Sequence, residues 1–385
     1  MTWIIAARRT AVAPVNGAFR RLSLQDLAAP VIRACLADAG LGAQDVDEVI
    51  LSNALGAGGN PARLLALHAG LPERCAAYTV DTQCCAGLDA VALGVGLITS
   101  GQAEVVVAGG AEAWSRSPIR MHRPLHADDT PVPFDRPAFA PTAEQDPDML
   151  LSAARYAAAQ GFTRSQQEAY ALQSHQRAVA HQADIANEIV PIAGVLHDTY
   201  PRLIDAARAA RMPVVAQTNA LDQAAGEAFA LSALTISAQS DGAALVLLMS
   251  PTAAKRLNVQ AEAAWIAHAS VGASPDTPLL VAELAAHAAL KRTGLGNPSN
   301  LQSVELHDAF AVQGLSFAKG LGLNPAQLNA RGGGLARGHP IGASAAIALV
   351  RLLANLQRDG ASSAQGLVAV AGAGGLGSAA VVARL

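Results

Sequence analysis

Short runs rich in valine and isoleucine alternate along the chain with longer stretches rich in alanine and leucine. Strands covered on both faces read as continuous apolar runs, so this alternation predicts an α/β architecture with buried parallel strands. Strands are expected at Glu48 to Leu51, Glu104 to Ala108, Ala244 to Leu248, Ser303 to Leu306 and Leu367 to Ala371. Helices are expected between them, as at Ser23 to Ala39 and Ala345 to Leu356. From about Ser117 to Pro147 the periodicity stops and Pro, Asp and His accumulate, after which two polar helical stretches follow, around Leu150 to Gln160 and Arg164 to Ala186. This region, to about Ala238, reads as an insertion, and long insertions in compact α/β proteins usually shape a binding site.

The pattern also repeats. The stretch ACLADAGLGAQDVDEVILSNAL from Ala34 resembles AALKRTGLGNPSNLQSVELHDAF from Ala288, each giving a helix, then Gly-Leu-Gly, then a strand. With one residue inserted in the second copy, Ser52 falls opposite His307, and the same offset carries Cys84 onto His339 and Gly87 onto Gly342. VVVAGGAEA near Ala108 likewise faces VAVAGAGGL near Ala371. Two related halves about a pseudo-two-fold axis would bring the loops bearing Cys84, His307 and His339 toward one centre.

Composition narrows the function classes. A chain of 385 residues with 51% hydrophobic and 15% charged residues exceeds one typical domain and can bury enough surface to order itself. The balance of 27 basic against 30 acidic residues argues against a nucleic-acid binder. Four cysteines without CxxC spacing point to a reducing, cytoplasmic setting rather than a disulfide scaffold. The N-terminal MTWIIAARRT is too short in its apolar part for a signal peptide. The uncharged stretch from Gly366 to Ala383 reads as strand, turn and strand around GAGGLG rather than a membrane span. No metal site is expected.

Cys84 follows a strand-like run and opens an apolar helix, where the macrodipole and free N–H groups lower a thiol pKa and favour a nucleophile. A buried structural cysteine is the alternative. His339 lies among glycines in RGGGLARGHPIGAS, which implies close backbone approach to a ligand and a histidine able to act as base toward a thiol. The run lacks the GK[ST] ending of a phosphate loop. His307 ends a strand in ELHDAF, either facing a site or as a satisfied strand-end histidine.

These motifs resemble the thiolase family over nearly the whole chain. Asn60-Pro61-Ala62-Arg63, TVDTQC, GGAEAWSRSP at Gly109 to Pro118, FTRSQQEAYALQSHQRA at Phe162 to Ala178, LTISAQSDGAA and GGGLARGHPIGAS match its elements in order. The resemblance implies a five-layered α-β-α-β-α core from two duplicated halves with an inserted loop domain. The halves would be 1–116, completed by 239–262, and 263–385, with a coenzyme A-binding loop domain at 117–238. It implies acyl transfer between an enzyme cysteine and CoA, by thiolysis or Claisen condensation, in fatty acid metabolism. The expected partners are CoA and acyl-CoA as substrates, with no permanently bound cofactor, no nucleic acid and no membrane, in a homodimer or homotetramer. Cys84 would take the acyl group, His339 would activate it, His307 would help position the thioester oxygen, and Ser237 and Met149 would contact CoA.

The departures are equally informative. The family's NEAF element is HDAF here, as in sterol-carrier-type thiolases, and the acid/base cysteine of its terminal CxGGGxG element is replaced by Ala371. Nor does a cysteine stand at Ala309, where the sterol-carrier-type branch carries one, and Cys85, Ala86 and the DTPLL stretch from Asp276 are altered as well. Three readings therefore remain open: a thiolase-like C-acyltransferase with an atypical acid/base, a decarboxylative condensing enzyme using Cys84, His307 and His339, and a non-catalytic CoA-ester-binding subunit. Arg208 and Arg211 are candidates for CoA phosphate contacts no better than a solvated face.

Overall fold

The structure, a computed structural model, describes residues 2–218, 227–295, 298–324 and 326–385. Its longer strands are β1 (Thr2–Arg9), β2 (Glu48–Ser52), β3 (Ala76–Val80), β4 (Val105–Ala113), β5 (Ser240–Met249), β6 (Ala263–Gly272), β7 (Ser303–His307), β8 (Gln365–Gly372) and β9 (Leu376–Arg384). The longer helices are α1 (Leu24–Ala39), α2 (Pro61–Ala69), α3 (Ala86–Thr99), α4 (Met149–Gln160), α5 (Arg164–Ala180), α6 (Val281–Thr293), α7 (Ala311–Gly320) and α8 (Ser344–Asp359).

The strands follow the order β7-β8-β9-β6-β1-β5-β4-β2-β3. The duplication is visible in this topology. In the first half β2 runs parallel to β4, which pairs antiparallel with β5 and then β1. In the second half β7 runs parallel to β8, which pairs antiparallel with β9 and then β6. The halves are joined by a short seam of Thr2 to Ile4 against Ala263 to Trp265. One apolar cluster packs α1 and α2 on the outer face of the first half, a second gathers α3 and α8 between the halves, and a third packs α6 on the outer face of the second. That is the five-layered α-β-α-β-α arrangement.

Local signals explain where elements begin. Ser23 caps α1 by accepting from the Asp26 amide while the Asp26 carboxylate accepts from the Ser23 amide, an arrangement that stabilises a helix by about 1 kcal/mol. Asn60 caps α2, with Pro61 in its first turn. At Gly110 a Cβ would lie 1.9 Å from the carbonyl oxygen of Gly342, so only glycine lets β4 touch the turn that opens α8.

Some elements differ from the sequence reading. β4 continues through Gly109 and Gly110 to Ala113, because those glycines meet backbone rather than turn away from it. β1 and β6 were not expected, since alanine and charge dilute their strand signal. α5 stops at Ala180, and a short helix restarts at Gln182–Ile185. Gly366 to Ala383 folds as β8, a turn and β9, and no helix among the described residues is long and apolar enough to cross a membrane.

Charged groups pin the segment after α5 to the core. Arg9 on β1 donates to Glu188 at 2.7 Å and to Asp198 at 2.7 and 3.0 Å, and Arg351 on α8 donates to the other Glu188 oxygen at 2.7 Å. All four are buried.

Candidate active site

Cys84 sits on an elbow between β3 and α3. The Asp81 carboxylate accepts the Gln83 amide at 2.9 Å, and Gln83 adopts φ 55°, a left-handed conformation uncommon for a residue with a side chain. The chain reverses sharply there, and the part-buried thiol is presented just ahead of α3.

His339 arrives from the other half. Gly338 takes φ 117°, and a Cβ there would meet Ser240 Oγ at 2.2 Å. The His339 amide donates to Ala238 O at 2.7 Å, fixing its backbone beside β5. Its Nδ1 lies 2.7 Å from Ser344 Oγ, and that hydroxyl donates to Pro340 O at 2.9 Å. Ser344 is satisfied on both sides when Nδ1 carries the imidazole hydrogen, the tautomer in which Nε2 offers its lone pair 3.3 Å from Cys84 Sγ.

These two residues line a cavity of about 650 Å³. Ser237 and Met149 also line it, as does Ala371 with Gly372 and Ala373. The Ser237 hydroxyl donates to Gly334 O at 2.6 Å. His307 is not among the residues that line the cavity, but the fold brings it against His339. It is buried, its ring stacks on that of His339 with centroids 4.4 Å apart, and its Nε2 has no hydrogen-bond partner among the described residues. The cavity side chains thus present one thiol and one imidazole at the reactive end. Among the described residues no cluster of three or more His, Cys, Asp or Glu could hold a metal ion.

The electrostatics correct the expectation of a low thiol pKa. Burial pushes Cys84 up to about 12, although the amides of Ala373 and Cys84 itself donate toward the sulfur and oppose the shift. Burial pulls His339 down to about 4 and His307 well below its ordinary value. The resting pair is therefore neutral, thiol beside imidazole, and the helix-start field is outweighed by loss of water. Below its pKa a thiol gains thiolate about tenfold per pH unit. Alkylation of Cys84 by iodoacetamide is thus expected to keep accelerating from pH 7 to pH 9; a plateau with a midpoint near neutrality would show a preformed ion pair instead.

Comparison with known proteins decides the family. Residues 2–252 match the sequence-family model "Thiolase, N-terminal domain" and residues 259–384 match "Thiolase, C-terminal domain". The chain belongs to the thiolase family. An acetyl-CoA acetyltransferase of Chromobacterium violaceum is 35% identical to this thiolase, covering 99% of both chains. One from Pseudomonas aeruginosa is 36% identical over 99% of this chain and 98% of its own. The crystal structure of Acat5 thiolase from Ascaris suum in complex with coenzyme A superposes with a TM-score of 0.89 at 27% identity, covering both chains in full. That of the Bacillus anthracis acetyl-CoA acetyltransferase gives 0.87, also at 27% identity, over 100% of this chain and 98% of its own.

Sequence reasoning missed two supports of this thiolase's site. Ser344, which bonds His339 Nδ1 and orients the ring, lies inside the GHPIGAS motif, and its spacing of five residues was the available signal. Glu112, within GGAEA, accepts from Asn53 Nδ2 at 2.6 Å and from the amides of Ala54 and Gly342 at 3.1 and 3.0 Å. It ties the loop after β2 to the turn that opens α8, and burial raises it to about 7 despite those backbone donors.

Proposed function

We propose that this thiolase is an acyl-CoA C-acyltransferase that carries its acyl group on Cys84, acting by thiolysis of a 3-ketoacyl-CoA or by Claisen condensation. The observation that carries this reading is the 3.3 Å contact between Cys84 Sγ and His339 Nε2 in the wall of a large cavity. His339 Nε2 takes the thiol proton as sulfur bonds to the acyl carbon, and the bond from that carbon to CoA sulfur, or to the α-carbon of a 3-ketoacyl-CoA, breaks. The same imidazolium returns the proton to the leaving group. The amides aimed at Cys84 Sγ are placed to donate to the negative oxygen that forms on that carbon. The names of the acetyl-CoA acetyltransferase relatives and the CoA-bound neighbour support CoA thioesters as substrates. A reducing, cytoplasmic setting suits its four free cysteines, and a homo-oligomer belongs to the same reading. Incubation with acetyl-CoA or acetoacetyl-CoA and peptide mass mapping is expected to find an acetyl adduct on Cys84. No adduct with any acyl-CoA overturns the reading and favours a CoA-ester-binding subunit.

A second reading rests on Ala371, which stands in the cavity wall where the family's second cysteine would be. A methyl group cannot exchange a proton with the α-carbon. Decarboxylation of a 2-carboxyacyl thioester would supply the carbanion without that exchange: the bond from the α-carbon to the carboxylate breaks, CO2 leaves, and the electron pair of that bond attacks the acyl carbon on Cys84. The acyl–Sγ bond then breaks to release the Cys84 thiolate, which takes back the proton held by His339. General acid–base catalysis contributes about 10² to 10⁴-fold. Where neither His307 nor a water takes over the proton exchange of the missing cysteine, Ala371→Cys should raise acetoacetyl-CoA thiolysis about tenfold or more. An unchanged rate, with 3-ketoacyl-CoA formed from malonyl-CoA but not from acetyl-CoA, would select the second.

A further inference from the structure

A second polar cluster packs behind the Cys84 elbow. Its hub is the carboxylate of Asp89 on α3, which accepts the hydroxyls of Thr82 at 2.5 Å, Ser270 at 2.6 Å and Ser378 at 2.8 Å. His268 on β6 places Nε2 2.9 Å from Ser378 Oγ and 3.4 Å from the same carboxylate. This is no serine–histidine–aspartate relay, because hydroxyl and carboxylate meet the same ring nitrogen, whereas a relay needs one on each. The Asp89 carboxyl lies below its usual range: burial raises it, but the donors from His268, Ser270, Thr82 and Ser378 prevail. The cluster is therefore built around an ionised carboxylate.

Its arms reach the two segments that frame the reactive sulfur. Thr82 opens the elbow, and its carbonyl accepts the Cys85 amide at 3.2 Å. Ser378 on β9 pairs with Val370 on β8, one residue before the Ala371–Ala373 wall, and Val370 O faces Cys85 Sγ at 3.8 Å. One of the two amides aimed at Cys84 Sγ comes from the elbow, and the other, of Ala373, from the β8–β9 turn. Asp89 is hydrogen-bonded to both segments.

Resting on the reading of Cys84 as acyl carrier, we propose that Asp89 is a positioning residue that clamps the elbow to the β8–β9 hairpin and so holds the Cys84 and Ala373 amides in register for the oxyanion of the tetrahedral intermediate. Such a role acts on the transition state more than on substrate binding. Misplacing a donor by a fraction of an ångström lowers kcat by about 10- to 100-fold.

The test compares Asp89→Ala, Asp89→Asn and the parent in acetyl transfer from acetyl-CoA, alongside the iodoacetamide alkylation rate of Cys84. Asp89→Ala is expected to lose kcat by that factor with KM within about twofold of the parent, and to slow alkylation of Cys84, because the displaced amides also favour the thiolate. Asp89→Asn, which keeps an acceptor for Ser378 and Ser270, should recover part of the loss. A folded Asp89→Ala with unchanged kcat overturns the proposal, as does a fall in kcat matched by an equal rise in KM, which marks general loosening. If Asp89→Ala does not fold, Thr82→Val removes the elbow arm alone and must show the same selective loss of kcat; an unchanged kcat again overturns the proposal. A parent that never acylates Cys84 is the failure of the acyl-carrier reading and removes the basis for this one. An acylating parent with an unimpaired variant rejects the role of Asp89 alone.

Discussion

Cys84→Ala is expected to lower acyl transfer by at least about 10⁴-fold while leaving the fold intact, because it removes the covalent carrier rather than a group that assists it. The side chain is part-buried and its Sγ contacts His339 Nε2 at 3.3 Å, so truncation leaves that nitrogen facing a small void, a minor loss beside the chemistry. Cys84→Ser is expected to be nearly as inactive. A hydroxyl is a far weaker acid than even a thiol raised to about 12, and His339, lowered to about 4, is a weak base for it. Steady-state thiolysis of acetoacetyl-CoA together with far-UV circular dichroism checks both points: activity near the parent level in either variant would remove Cys84 from the mechanism.

Glu188→Ala is expected to cost about 3 to 5 kcal/mol of stability, the range for removing one partner of a buried ion pair. The carboxylate is shared by Arg9 and Arg351, each at 2.7 Å, and neither guanidinium is exposed. Asp198 would still hold Arg9 through two bonds, whereas Arg351 would lose its hydrogen-bonded carboxylate, and its Nε and Nη2 already lack partners among the described residues. Burial pushes the Glu188 carboxyl up, yet Arg351 and Arg9 together hold it below its ordinary value. Its contribution is thus present above the usual carboxylate pKa and is lost as pH falls through the lowered one. Urea unfolding at neutral pH measures the effect; a loss below about 1 kcal/mol would mean that the network is dispensable.

Much of this architecture is legible in local sequence, because its strands are continuous apolar runs and its helix starts carry caps. The glycine of Gly-His-Pro marks His339 because the chain there needs a backbone that glycine supplies, whereas the elbow before Cys84 places its left-handed residue at Gln83 and carries no glycine to mark it. What stays hidden depends on distant partners. The thiol of Cys84 sits at a helix start, which reads as acidic, but its pKa is set by burial that distant segments impose, opposed in part by the amide of Ala373 from the other half. Likewise, Arg9 and Glu188 are separated by 179 residues and leave no periodic trace. His307 ends a strand, which by itself leaves open whether it faces a site, and only the packing shows its ring stacked on that of His339. The strand β6, AAWIAHASVG, lacks branched side chains in most of its positions and owes its conformation to β9 alongside it.

The 255 residues that separate Cys84 from His339 also bear on folding. A contact so remote in sequence closes only after the long loop between its ends has been ordered, and proteins dominated by such contacts fold slowly. During synthesis the first half, with its thiol, leaves the ribosome before the histidine exists. The reactive pair is then among the last things the chain completes, so a truncated product would carry the cysteine but not the base that activates it.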